Sequence, residues 1–375
     1  MSFRKRNAVI GAAGAAPAPR LDKALSSGTR PSPHDGRLTT STGTSSLDQL
    51  LANHAGMPMG TSILIEETGT TDFGGILLRY FAAEGLVQGH HVHVLGPGDS
   101  WRRELPGLSS GSRTKRSESS LENKMKIAWR YETLSNRGTS SRSQTTAEVS
   151  NPGSTPFCHP FDLAKRLEES AINGQLHTLN AMELSMQSAQ TLFQRFINDV
   201  TSSLETSPPS IVHRVIIPGL LSPTLYASLA SHPHQVLQFL HSLRGLLRRF
   251  SSRLTALVTL PISLYPRSIG LTRRMELLFD GVIEMIPLQH QVHVELSQAS
   301  ENREQGLLRI HSLPIFHEKG GGLDGSWVKE DMSFKLSASS GLVITPFSLP
   351  PLLDEGEPDK DTSNLKDKKK QTLEF

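Results

Sequence analysis

The sequence predicts an α/β fold: a mostly parallel sheet flanked by helices, with antiparallel edge strands and disordered tails and insertions. Three observations carry that prediction. Residues 61–95 read strand–helix–strand, the βαβ unit. Strands and helices then alternate through the second half, and several strands are apolar throughout, as strands covered on both faces must be. The last third is dense in short strands, which suits an antiparallel edge.

The elements follow in order. Residues 1–38 are rich in Ala, Gly, Pro, Ser and Arg and read as a disordered tail. A Gly/Pro-punctuated loop leads to the β-branched run Thr61–Glu66, then to a polar turn over Glu67–Gly75. Ile76–Ala83 reads as a helix, with Leu77, Tyr80, Phe81 and Glu84 at three- and four-residue steps, and Gly85 or Gly89 ends it. His90–Leu95 is a second strand, closed by Gly96-Pro97-Gly98. Residues 108–124 and 133–156 are solvated insertions by composition, on either side of Met125–Glu132. Helices are expected at Thr191–Leu204, Gln235–Ser251 and Gly270–Phe279. Strands are expected at Ile211–Ile217, Leu254–Leu260, Gly281–Ile286, Leu307–Leu313, Phe334–Leu336 and Leu342–Thr345. One domain thus spans 39–351, and residues 352–375 form a charged tail.

Composition excludes several functions. Lys plus Arg is 39 against 36 Asp plus Glu, a net charge of +3, so nucleic-acid contact needs a local patch rather than a basic coat. The single cysteine, Cys158, permits neither an internal disulfide nor a multi-cysteine zinc site, and points to a reducing compartment. Apolar runs are too short for a membrane span, and Ser2–Arg6 followed by Ala, Gly and Pro provides no secretory core.

In an α/β sheet the ligand crevice lies beyond the carboxyl ends of the strands. There, Gly69 and Gly74 keep Walker A spacing, but Gly75 and Ile76 stand where a phosphate loop carries Lys and Ser or Thr. Asp72 inside the loop repels phosphate, and an ordinary βα turn satisfies the same glycine spacing. Upstream, Thr42-Gly43, Leu47-Asp48 and Gly56-Met57-Pro58-Met59-Gly60 resemble the entry to RecA-type ATPase domains. The Walker B acid would follow Val212–Ile217, and Pro218 stands there. A RecA-like fold with a degenerate P-loop, inactive by itself toward nucleotide, is the expectation.

The sequence also resembles the Elongator complex protein 4 family. The resemblance rests on Gly43–Asp48, Ile63–Glu67, Leu78–Phe81 with Glu84-Gly85 and Gly89-His90, Trp101–Gly107, Met125–Glu132, Phe161–Leu163, Val215–Pro218 and Leu349–Pro351. It implies a RecA-like fold without working Walker motifs. It also implies a six-membered ring with two other RecA-like Elongator subunits, docked on the catalytic Elongator subcomplex. That assembly adds a carboxymethyl-type group to C5 of the tRNA wobble uridine, U34. The ring binds tRNA, and its nucleotide hydrolysis modulates release. The transfer chemistry belongs to another subunit, so no catalytic residue, cofactor or metal is carried onto this chain. A cytoplasmic and nuclear location is implied. The alternative function is a stand-alone RecA-type NTPase acting on nucleic acid.

Candidate contacts follow from charge. Arg102 and Arg103, just past the second strand, are tRNA-contact candidates, with Arg113, Lys115 and Arg116 in the insertion; a solvated loop tip is the competing account. Arg244 and Arg248 share one helix face, with Arg249 and Arg253 on a neighbouring one, which gives either a solvated face or a subunit interface. His91 and His93 share a strand face without further ligands at readable spacing, and Trp129 reads as a packing anchor. Glu66 and Glu67 point in opposite directions at a strand end, and a structural or interface role is expected for them.

Overall fold

The computed structural model describes residues 26–51, 54–68, 71–109, 156–182, 190–288, 304–314, 332–337 and 341–347. Gly69, Trp129, the basic insertion and the charged tail lie outside the described residues.

Strand β4 (Ser62–Glu67), helix α2 (Phe73–Gln88) and strand β5 (His91–Gly96) form the expected βαβ unit. Helix α2 ends at Gly89, where φ is +85° and only glycine is unstrained. Gly85 lies inside the helix for a packing reason: a Cβ there would approach Arg214 Cδ to 2.6 Å. Helix α3 (Leu192–Thr206) starts at a capping box in which the Gln194 N–H donates to Thr191 Oγ1 at 3.3 Å and the Thr191 N–H donates to Gln194 Oε1 at 3.2 Å. Strand β9 (His213–Ile217), helix α4 (Pro233–Arg249), strand β10 (Leu254–Pro261), helix α5 (Gly270–Glu276) and strand β11 (Gly281–Pro287) follow. Strands β12 (Gly306–Ser312), β13 (Met332–Ser337) and β14 (Gly341–Pro346) complete the expected set.

Strand β8 (Gln175–Asn180) joins them in a nine-stranded sheet of order β14-β13-β12-β11-β4-β10-β9-β5-β8. The six strands from β11 to β8 are parallel. The last three pairings, β11 through β14, are antiparallel. Alternate residues of each central strand face opposite cores. Leu64, Val215, Ile217, Ala256, Val258 and Leu260 pack with α3 and α4. Ile63, Ile65, Ile216, Leu257 and Ile283 pack with α2. Two-sided burial is why these strands read as continuous apolar runs.

Four features were not expected. Strand β1 (Thr29–Pro31), inside the segment expected as a tail, pairs antiparallel with β2 (Leu38–Thr40), and β2 pairs with β3 (Met57–Pro58). Helix α1 (Ser45–Leu50) packs against β14. Strand β6 (Pro106–Leu108) pairs with β7 (Phe161–Arg166). β8 itself is polar and half-exposed, an edge strand without an apolar run. Short or edge strands lack the periodicity by which a core strand is read.

Cross-strand register also assembles histidines. His91 lies opposite His213, and His93 opposite His177. The His93 ring stacks between His177 at 5.1 Å and His213 at 5.3 Å. His93 Nε2 hydrogen-bonds His213 Nδ1 at 3.0 Å, and His213 Nε2 hydrogen-bonds Ser207 Oγ at 2.8 Å.

Candidate functional site

Pleating sends Glu66 and Glu67 to opposite faces at the carboxyl end of β4. The Glu67 carboxylate accepts hydrogen bonds from the Phe73 N–H at 2.5 Å, the Gly74 N–H at 3.3 Å and Thr71 Oγ1 at 3.2 Å. It therefore occupies the N-terminus of α2, the position at which a phosphate loop holds its anion. Burial, with the Asp72 charge adding, pushes the Glu67 carboxyl up to about 7, against its three hydrogen-bond donors. The two described glycines serve this carboxylate packing. A Cβ at Gly74 would come within 3.1 Å of Glu67 Oε2 and 3.0 Å of Thr259 Cγ2. A Cβ at Gly75 would overlap Asp72 Oδ1. Asp72 in turn pairs with Arg79 at 2.6 Å, and Arg79 reaches Glu104 at 3.2 Å. Replacing Glu67 with Ala removes the anion from the helix start and is expected to lower stability by about 1–2 kcal/mol, measured by urea unfolding.

At the next crevice position β9 runs out into Pro218, and the Gly219 N–H donates to Thr259 Oγ1 at 2.7 Å. Glu66 turns to the other face, against Glu276, Glu284 and Arg267.

Arg102 and Arg103 lie on a short 3-10 turn, Asp99–Glu104, anchored by the buried Trp101. They share a groove of about 910 Å³ with Arg166 of β7. The β6–β7 pairing brings Arg166 there, and nothing in the local sequence signals it. Arg102 pairs with Glu169 at 3.1 Å, both largely exposed, so the pair adds little stability. Arg113, Lys115 and Arg116 lie outside the described residues.

The α4 arginines separate. Arg244 donates to the Leu277 carbonyl at 3.0 Å. Arg244 and Arg248 line a pocket of about 330 Å³ with Asp280 and Arg37. Arg249 pairs with Glu205 of α3 at 3.1 Å. Arg253, expected on the same helix face as Arg249, lies beyond the helix end and donates to the Ser207 and Pro208 carbonyls at 3.3 and 3.1 Å. Cys158 is half-buried, and burial pushes its thiol up to about 12, which leaves it a poor nucleophile. Neighbouring His159 pairs with the buried Glu84 at 3.0 Å.

The residue that sequence reading passed over is Arg214. It sits in an otherwise apolar strand and is fully buried. Its guanidinium reaches back to the loop that leads into α1 and to α2.

A family model described as PAXNEB protein matches residues 22–375. Elongator complex protein 4 of Schizosaccharomyces pombe is 31% identical over 371 residues, covering 94% of this chain and 96% of that protein. The Saccharomyces cerevisiae protein of the same name is 27% identical, covering 78% and 70%. The Homo sapiens one is 29% identical, covering 88% and 80%. With its α/β sheet and near-complete coverage by the family model, this chain belongs to the PAXNEB family, the family of its Elongator complex protein 4 relatives.

Proposed function

We propose that this chain is a ring-forming, non-catalytic subunit of an Elongator assembly. In this reading it supports tRNA binding and the carboxymethyl-type modification of wobble uridine, and works in the cytoplasm and nucleus. Its partners are two other RecA-like subunits in a six-membered ring, the catalytic Elongator subcomplex and tRNA. The observation that supports the non-catalytic part is the Glu67 carboxylate at the start of α2. A nucleotide phosphate would have to displace the buried Glu67 carboxyl from the α2 amides, with Gly75 and Ile76 supplying neither the lysine charge nor the metal hydroxyl. The same observation stands against a stand-alone NTPase.

Native mass spectrometry of the chain purified from its own cells tests the assembly: six chains in three pairs are expected, and a homomeric ring formed with ATP would sink the reading. In this reading Arg102 and Arg103 are the tRNA contacts, and the groove they share with Arg166 supports it. Reversing Arg102 and Arg103 to Glu in an intact ring is expected to weaken tRNA binding about tenfold and flatten its salt dependence. Unchanged affinity and slope would move the RNA contact elsewhere.

A further inference from the structure

We propose that the pocket held by Arg244, Arg248 and Asp280, with Leu277 at its rim, docks a carboxylate-bearing segment of a neighbouring subunit, a site that rests on the ring assembly proposed above. The pocket lies at the amino ends of three adjacent parallel strands. Gly60 precedes β4, Ser251 precedes β10 and Asp280 precedes β11. Glu67 is at the other end of β4, about 20 Å away at about 3.3 Å per residue. The Arg102 groove borders β8, four strands from β4 and so about 19 Å across the sheet. This pocket is therefore separate from both.

Its charge is unbalanced. Asp280 is the one carboxylate lining it among the described residues. That carboxylate is tied to β4, accepting hydrogen bonds from the Ser62 N–H at 3.0 Å and from Ser62 Oγ at 3.1 Å. Arg244 and Arg248 both bring positive charge to Asp280. Arg244 donates to the Leu277 carbonyl at 3.0 Å, a bond that neutralises no charge. Arg248 makes no hydrogen bond or ion pair among the described residues. Arg37, at the same pocket, is matched by Asp35 at 3.4 Å. Two guanidiniums against one carboxylate leave an excess of one positive charge, which one further carboxylate would balance.

The apolar part of the surface selects a protein as the source of that carboxylate. Met59 and Leu247, both buried, form the floor. Leu277 is 77% exposed, and its carbonyl is held by Arg244. A lone exposed leucine is ordinary. Beside a basic pocket with an apolar floor it extends a surface of interface type, where arginine is enriched and apolar side chains fill the centre. An RNA backbone fits less well, because its phosphates would meet Asp280 and the apolar floor.

The test uses the ring assembled from the full chain and its two RecA-like partners. A benzophenone amino acid in place of Leu277 is expected to cross-link to one of those two partners. Arg248→Glu, alone and with Arg244→Glu, is expected to raise at least tenfold the concentration at which six chains half-dissociate, read by mass photometry on dilution. The single change breaks no contact within the described residues, so its effect reads the interface and not the fold. An unmutated mixture that forms no mixed ring removes the assembly reading and this proposal with it. A ring that forms but keeps its stability in both variants removes the docking site alone. So does a cross-link from position 277 that reaches only tRNA or the catalytic subcomplex, or no partner.

Discussion

Replacing Arg214 with Met is expected to cost about 3–5 kcal/mol of folding stability, enough to unfold much of the chain at physiological temperature. Arg214 Nε donates to His90 Nδ1 at 3.0 Å. Its Nη1 donates to the Ser41 and Phe81 carbonyls, both at 2.9 Å, and its Nη2 donates to Thr40 Oγ1 at 2.8 Å. The guanidinium lies 4.4 Å from the Phe81 ring centroid, and its stem fills the space that Gly85 leaves. Burial lowers its pKa to about 10, with the Glu84 and Asp48 carboxylates opposing. Met fills similar volume but leaves two carbonyls and two carboxylates without their cation. Arg214→Lys restores charge without the planar fork and should recover only part of the loss. Urea unfolding monitored by circular dichroism reads all three chains. A change below about 1 kcal/mol for Met would show that the network is not a stability element.

Protonation is expected to make the buried histidines destabilising below about pH 6.5. Burial pushes His90 and His213 down to about 3 and His93 well below the ordinary imidazole range. Neighbouring cations and imidazoles, Arg214 beside His90 among them, push the same way. The unfolded chain takes up protons near pH 6.5, and the folded chain refuses them until far lower pH. Stability therefore rises with pH up to about 6.5 and falls below it. Half the unfolded imidazoles are already charged at pH 6.5, so three such groups give a loss of about 3 kcal/mol between pH 6.5 and 5.5, and the buried Glu66, Glu67 and Asp48 carboxyls, pushed up to about 8, 7 and 6, offset part of it. Thermal unfolding across pH 5–8 checks the sign. The histidine share is read as the slope lost in His93→Gln and His213→Gln, and a slope unchanged in both would show that these imidazoles remain free to protonate in the fold.

The parts of the fold legible in the sequence were those governed by local rules. Gly89 was legible as one of two possible helix ends, with Gly85, because a left-handed cap favours glycine. The strand at 254–260 was legible because two-sided burial leaves an unbroken apolar run. Glu66 and Glu67 were legible as opposed in direction but not in role, since the partners of each come from distant or unpatterned backbone: the α2 amides for Glu67, Arg267 and β11 for Glu66. Arg166 had no signal at all. It reaches its groove through a pairing with residues about 60 positions away. Arg214 carries a signal, a lone charge inside the apolar run Val212–Ile217.

The packing of α1 on β14 has a consequence for how this chain is made. Ser46 Oγ donates to the Leu342 carbonyl at 3.2 Å, across a separation of 296 residues. A Cβ at Gly341 would sit 2.6 Å from the Tyr80 hydroxyl. An early helix is thus covered by the last described strand, so the contact order is high and loop closure is slow. During synthesis α1 and α2 emerge long before their cover, with Leu47 and Phe81 waiting for apolar partners such as Phe334 and Leu342. The nascent chain therefore stays open to holdase chaperones until translation has passed β14.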